Sequence, residues 1–369
     1  MDKVGETTLF LDLAALEHNY NYLRSRIAPE TKFMAVVKAF AYGSDMVAVA
    51  KKMEKLGVDY FAVAYVNEGI LLRDAGIKTP ILVLHPLASN FDGIIDYCLE
   101  PSLYSNHILS QFIEAAKAKK QVDYPVHIKF NTGLNRLGFN QEDIDTIVDK
   151  LKDTKEIKVV SIFSHLAASE DPKEQEFSIA QIDGFKKLGN AIIQKLGYVP
   201  MRHMLNTSGI INYPQAQFEM VRSGIGLYGY GNDAKIDPKL KPIATLKTII
   251  SQIHEIGADE SVGYNRAFKS NGPIKTATLP IGHADGIGRP YGKGRASVLI
   301  HGKMAPIIGN VCMDMIMVDV TGIDCKEGDE VIVFGPQKSA ENFASGAGTI
   351  SYEILTAISQ RVKRVVLDD

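Results

Sequence analysis

A TIM-type (β/α)8 barrel followed by a mostly antiparallel β domain is the fold this chain predicts, on three observations. Short apolar runs alternate with helix-periodic stretches for roughly two hundred residues after a first strand. Roughly eight such strand–helix units fit into about 230 residues, which suits a closed parallel barrel with right-handed crossovers better than an open sheet. Near residue 235 the texture then changes to strands separated by glycine-containing and charged turns, the pattern of an antiparallel domain.

The first strand is read at Thr8 to Leu11. Asp12 follows as an N-cap, because its carboxylate can accept from the free N–H groups of a first helical turn. LAALEHNYNYLRSRI (13–27) repeats apolar residues at helical spacing. KFMAVV, YFAVA, PILVL, VHIKF, VVSIFS, MRHML and FEMV come next as short apolar strands. Helical stretches such as MVAVAKKMEKL (46–56), ILSQFIEAAKA (108–118) and FSIAQIDGFKKLGNAIIQKL (177–196) lie between them. Residues 1–235 are assigned to the barrel and 236–369 to the β domain, with the strand near 8–11 free to pack with the latter. NDAKIDPKLKPIA reads as the connection. LKTIISQIHEI, KTATLPIG, RASVLIHG, APIIGN, MIMVDV and DEVIVFG read as strands, and a single helix, SYEILTAISQRV (351–362), closes the chain.

The 369 residues are 46% hydrophobic and 23% charged, with a net charge of −2. This composition belongs to ordinary globular proteins and gives no footing for a nucleic-acid or membrane-surface partner. No apolar run approaches the roughly 18 residues that span a bilayer. The opening MDKVGETTLF lacks a signal-peptide pattern, so a cytoplasmic location is expected. Cys98, Cys312 and Cys325 are few and widely spaced, which points to reduced thiols, no disulfide framework and no metal site.

Lys38 is the most informative residue. It ends the apolar run FMAVV just before a Tyr-Gly turn. An ammonium group at the mouth of a buried strand loses solvation, which lowers its pKa and makes it a usable nucleophile. Such a lysine can form a Schiff base with a carbonyl cofactor, of which pyridoxal phosphate is the usual one. A solvated strand-end lysine is the commoner case, so the reading rests on its company. Arg136, His165, Asn206, Thr207, Ser208 and Arg222 also follow barrel strands, where a TIM barrel collects its chemistry. Three cations on one rim need an anion or an anionic cofactor.

With these residues in place, the sequence resembles the alanine racemases, fold-type III pyridoxal-phosphate enzymes. AVVKAFAYG, IKFNTGLNRLGF, FSHLA, HMLNTSG, MVRSGIGLYG, VGYNRAF, ADGIGR, GNVCMDM and ISYEIL match the family's blocks in order. The resemblance implies that Lys38 carries the cofactor covalently and serves as base on one face of the substrate. It implies Tyr264 as the second base, on the opposite face. Because a free phenol is a poor base at neutral pH, the family sets counterparts of His165 and Arg222 behind that tyrosine. Arg222 would also face the pyridine nitrogen and keep it unprotonated, which favours prompt reprotonation over transamination.

By the same resemblance, Tyr42, Thr207, Ser208, Gly224, Ile225 and Tyr352 hold the phosphate, Asn206 lies beside them, and Arg136, Met313 and Asp314 meet the substrate carboxylate. Tyr264, Met313 and Asp314 come from a partner subunit in the family, so a homodimer with shared active sites is implied. Its substrate is an amino acid, L-alanine interconverted with D-alanine for peptidoglycan. Along VHIKFN a period of two puts His127, Lys129 and Asn131 on one face, with Lys129 pointing into the barrel. A bare ammonium there, close to Arg136, is desolvated and repelled; many family members carbamylate this lysine, and Lys129 is a candidate for that change. Asn131, in place of the commoner aspartate, leaves room for a chloride ion instead.

Some positions depart from the pattern. Phe40 replaces a small polar residue and Ser44-Asp45 stands where His-Gly is common. His283 replaces a tyrosine and Asn310 an arginine at the expected entrance, with Tyr352, Arg289 and Ala168. Smaller groups there would admit side chains larger than methyl, so a broad alanine/serine racemase is the main alternative. A decarboxylase on this scaffold and a non-catalytic pyridoxal-phosphate-binding relative are others.

Overall fold

A computed structural model describes residues 5–233 and 235–368. Eight parallel strands close into a barrel: β2 (Lys32–Val36), β3 (Tyr60–Val63), β4 (Ile81–Val83), β5 (Glu100–Leu103), β6 (Tyr124–Lys129), β7 (Ile157–Phe163), β8 (Met201–His203) and β9 (Met220–Ser223). Strands β3 and β4 are buried along their whole length, as expected where helices cover one face and the barrel core the other. The helices between them use the predicted signals. Asp12 Oδ1 accepts the Ala15 N–H at 2.7 Å, capping the helix Leu13–Arg24. That helix stops before the expected residue 27, where Arg24 turns to donate to the Ala28 carbonyl at 2.9 Å.

The opening strand, β1 (Thr8–Asp12), leaves the barrel and joins a second, nine-stranded sheet. Its other members are β10 (Ala244–Ile249), β11 (Gln252–Ile256), β14 (Ile274–Leu279), β15 (Ser297–Ile300), β16 (Lys303–Ile308), β17 (Ile316–Asp319), β18 (Glu330–Phe334) and β19 (Lys363–Leu367). The order is β11-β14-β17-β16-β15-β18-β10-β1-β19. All pairings are antiparallel except β1 with β19, where Leu9 sits opposite Arg364. A separate hairpin, β12 (Ser261–Val262) with β13 (Phe268–Lys269), flanks Tyr264.

Three elements correct the sequence reading. EPSL gives no strand signal, since glutamate, proline and serine interrupt it, yet all four residues are buried in β5. The inward Glu100 carboxylate accepts from His127 Nε2 at 2.7 Å, which makes its burial tolerable. LKTIISQIHEI is two strands, because Ile250 and Ser251 break away to bond Asp329 and Thr278 carbonyls. The closing helix spans only Ser351–Ala357, preceded by a second helix, Ala340–Ser345, and followed by β19. Ile358 turns extended, and the Ser359 N–H goes to the Asp285 carbonyl.

Among the described residues no helix is long and apolar enough to cross a membrane. Nor does any group of three or more His, Cys, Asp or Glu side chains converge as a metal site.

Candidate active site

The segment that carries Lys38 has a strained backbone. Strand β2 ends at Val36, and Ala39, Phe40, Ala41 and Tyr42 all take φ between +53° and +54°. This is one turn of left-handed helix, at about 1–2 kcal/mol per L-residue. Neighbours hold it. Glu68 accepts the Ala39 N–H at 2.6 Å, and Arg364 donates to the Gly43 carbonyl at 3.0 Å. Gly43 itself is required, since a Cβ there would fall 1.9 Å from the Leu355 carbonyl oxygen. The turn sets Lys38 and Tyr42 on the wall of a cavity of about 620 Å³ at the C-terminal mouth of the barrel.

Lys129, Arg136, His165, Asn206, Thr207, Arg222, Gly224, Ile225 and Tyr352 line the same cavity. Burial lowers the Lys38 pKa, Arg136 lowers it further, and Glu68 opposes them. Lys129 is lowered to about 8, first by burial and then by Arg136, Arg222 and Lys38. Its burial fits the inward direction that the strand period gives. The ring of Phe163 is a platform beneath two of these cations, with Arg222 at 5.4 Å and Lys129 at 5.9 Å from its centroid.

Arg222, at the end of β9, is 5% exposed. Its Nη2 donates to the Ser164 carbonyl at 2.8 Å, the Met204 carbonyl at 3.1 Å and His165 Nδ1 at 3.1 Å. Burial lowers the guanidinium to about 9, which leaves it a cation at neutral pH. Burial and then Arg222 hold His165 well below the ordinary imidazole value. His165 is therefore neutral with its Nδ1 occupied, and its proton sits on Nε2.

Across the cavity, Gly224 and Ile225 backbone N–H groups have no partner among the described residues. A Cβ on Gly224 would fall 2.1 Å from Tyr42 Oη, so only glycine lets backbone and phenol meet. Thr207 Oγ1 is 3.0 Å from Ser223 Oγ and accepts the Gly226 N–H at 3.2 Å. Tyr352 accepts from Asn232 at 3.0 Å, and burial pushes its pKa up to about 12. Burial raises Tyr42 above its ordinary value as well. Both phenols stay protonated and can donate to an anion. Asn206 caps the helix Thr207–Asn212 through the Gly209 N–H at 2.9 Å, and buried Ser208 follows Thr207 without lining the cavity.

Residues 11–232 match the alanine racemase N-terminal domain family and residues 243–366 the alanine racemase C-terminal domain family. The chain belongs to the alanine racemase family. The alanine racemase of Halothermothrix orenii is 37% identical over 362 residues, covering 96% of this chain and 95% of that one. The alanine racemase structure of Clostridium difficile superposes with a TM-score of 0.92 at 33% identity, covering 99% of this chain and 97% of that one. The Bartonella henselae alanine racemase, solved with covalently bound pyridoxal phosphate, gives a TM-score of 0.89 at 28% identity, covering 98% of this chain and all of that one (100%).

Four of the residues that the racemase family pattern assigns stand outside the cavity within one copy of the chain, Ser208 and three from the β domain. Tyr264 is 75% exposed between β12 and β13, and Met313 is 59% exposed. Asp314 pairs with Arg361 at 2.6 Å, which also binds Asp285 at 2.7 Å. Asn310 donates to the Tyr264 carbonyl at 3.1 Å and so holds that loop. Sequence reasoning missed Glu68, Tyr65, His85, Phe163 and His203. Phe163 was within reach: the alternation that turns Lys129 inward on β6 turns Ser161 and Phe163 inward on β7.

Proposed function

We propose that this protein is a pyridoxal-phosphate-dependent alanine racemase, interconverting L-alanine and D-alanine with two bases on opposite faces of the substrate and supplying D-alanine for peptidoglycan. The observation that carries this is the convergence, in one cavity, of a desolvated lysine, a pinned arginine and an unsatisfied pair of backbone N–H groups beside a phenol.

Those residues fit the cofactor. Lys38 would hold its aldehyde carbon covalently. Gly224, Ile225, Tyr42, Thr207 and Tyr352 would hold its phosphate, with Asn206 capping the helix that presents Thr207, and Arg222 would meet the ring nitrogen. When bound, the cofactor supplies an electron sink that acidifies the α-hydrogen of the amino acid it carries.

The chain's own residues do the rest. Lys38, with its pKa lowered, is a base able to take or return the α-proton on one face. Arg222 is held by two carbonyls and gives up a proton reluctantly, so it would donate to the ring nitrogen without protonating it. Arg136 orients the substrate carboxylate, and a carbamate on Lys129 would brace Arg136 with negative charge. Tyr264 of a second copy supplies the base on the other face, with Met313 and Asp314 beside it. The exposed Tyr264, Met304, Met313, Met315 and Ile350 support such pairing, since a homodimer would cover them. A cytoplasmic location completes the reading.

The test is an absorbance spectrum of the purified protein with pyridoxal phosphate, before and after borohydride, together with a D-alanine assay. The expected result is an imine band, a permanent adduct on Lys38 after reduction, and racemisation of L-alanine. An adduct on another lysine, or racemisation no faster than in solution without protein, overturns the proposal.

A further inference from the structure

The inside of a TIM barrel is ordinarily filled by layers of branched apolar side chains. Here a polar diagonal crosses five consecutive strands. From β9, Arg222 Nη1 lies 2.5 Å from His203 Nδ1 on β8. His203 Nε2 lies 2.9 Å from Ser161 Oγ on β7, which lies 2.5 Å from His127 Nδ1 on β6. His127 Nε2 lies 2.7 Å from Glu100 Oε2 on β5. Ser161, His127 and His203 are completely buried.

The two ends of this chain dictate its proton arrangement. An arginine only donates, so His203 Nδ1 accepts and its proton sits on Nε2, facing Ser161. An ionised carboxylate only accepts, so His127 Nε2 carries a proton toward Glu100. His127 Nδ1 is then left to accept from the Ser161 hydroxyl, whose oxygen accepts from His203. Both directions of reasoning meet at Ser161 with every donor used once. A second proton on His127 would turn two donors on Ser161 and leave the hydroxyl proton without an acceptor, and a second proton on His203 would set Nδ1–H against the Arg222 N–H.

We propose that Glu100, His127, Ser161 and His203 are positioning residues, a single-file hydrogen-bonded chain anchored on the Glu100 carboxylate that fixes His203 as its Nε2–H tautomer and thereby holds Arg222 in place at the cavity. The inference rests on the role given to Arg222 in the proposed function. Its consequence is geometric. With Nη1 bound to His203 and Nη2 shared among the Ser164 and Met204 carbonyls and His165 Nδ1, the guanidinium is fixed on the cavity wall. The charge at the far end is shared: Tyr60, Arg73 and Tyr124 lie within the electrostatic reach of Glu100. At the near end Arg136, Lys129 and Lys38 face His165 and Arg222.

The experiment is nitrogen-15 NMR on histidine-labelled protein loaded with pyridoxal phosphate, alongside L-alanine kinetics. His127 and His203 are expected to give two exchange-protected Nε2–H signals with unprotonated Nδ1, and the His203 signal, held by burial and Arg222 well below the ordinary imidazole value, should not change between about pH 6 and 9. S161A should expose the His203 proton to exchange and lower kcat on the order of tenfold, with KM for alanine little changed. S161T, which restores a hydroxyl, should recover both. Two protonated nitrogens on either histidine of the unmutated protein overturn the proposal, as does an S161A protein with both signals protected and kcat unaltered. Because the histidine signals are read on the unmutated protein, the test stands even where S161A folds poorly. An unmutated protein that shows these signals yet racemises nothing refutes the proposed function and leaves the chain itself standing.

Discussion

Glu68 clamps the turn that follows Lys38: one carboxylate oxygen accepts the Ala39 N–H at 2.6 Å, while the other accepts Ala64 N–H at 2.7 Å and Tyr65 N–H at 3.2 Å. A single side chain thus ties the end of β3 to four successive left-handed residues. Removing it with E68A should cost about 2 kcal/mol of stability, read from urea unfolding, since several backbone donors lose a charged acceptor. E68Q removes the charge and one acceptor. Glu68 raises the Lys38 pKa against burial, so its loss should move the pH midpoint of pyridoxal-phosphate uptake lower. An unmoved midpoint in E68Q denies Glu68 this electrostatic role.

Tyr264 and Lys38 make a sharper pair. Y264F should retain cofactor absorbance and lose roughly 10²–10⁴-fold in racemisation, the usual worth of a positioned acid–base group. K38A should lose both. If two copies share their sites, mixing K38A with Y264F creates mixed dimers in which one site has both intact residues. Recovered activity on mixing two inactive proteins is the expected outcome. Mixtures that stay inactive after subunit exchange, shown by tagged copies purifying together, would refute the shared site.

What the sequence made legible follows the kind of signal each element carries. Strands such as YFAVA and PILVL are buried on both faces and announce themselves by continuous apolar runs. The strand at Glu100–Leu103 is as deeply buried but spends its inward positions on a carboxylate and a serine, so it reads as a loop. Lys129 was placed correctly because one period of two needs only its own strand. His203 needed the partner strand as well, since its meaning lies in Arg222 and Ser161 across the barrel. The left-handed turn after Lys38 left no trace in AFAY, because residues held at positive φ by Glu68, Arg364 and the Ser351–Ala357 helix need no glycine of their own. Tyr264 could be named from its motif, but within one copy nothing around it explains why it matters.

Lys129 makes stability depend on pH in a definite direction. The unfolded chain keeps its proton up to the ordinary lysine value of 10.5, whereas the folded chain releases it near about 8. Between these values the unfolded state binds more protons, so stability should rise with pH across that window, with the full penalty present below it. The same neutral amine can attack carbon dioxide, forming a carbamate and releasing a proton. Carbon-13 bicarbonate should therefore label the protein increasingly as the pH rises through the folded value. K129A should show no such label, and should lose on the order of tenfold in kcat/KM, about 1.4 kcal/mol. An unmutated protein that takes up no label across this range retains a plain ammonium, or an ion, beside Arg136.

Side-chain selectivity is expected to be loose. His283 stands where the family more often has tyrosine, and lines a second cavity of about 360 Å³ with Tyr291 and Glu353. Asn310, in place of arginine, is engaged with the Tyr264 backbone and presents a short side chain. A pocket that must reject one extra hydroxyl by size alone gains only about 1–3 kcal/mol of discrimination. L-serine should then be racemised roughly 10–200-fold more slowly than L-alanine, and H283Y with N310R should widen the gap by restoring bulk at the entrance. Serine turnover indistinguishable from background in the unmutated protein would show that something other than these two positions sets the size limit, with Tyr352 the first place to look because it borders both the main cavity and the opening beside Gly348 and Ile350.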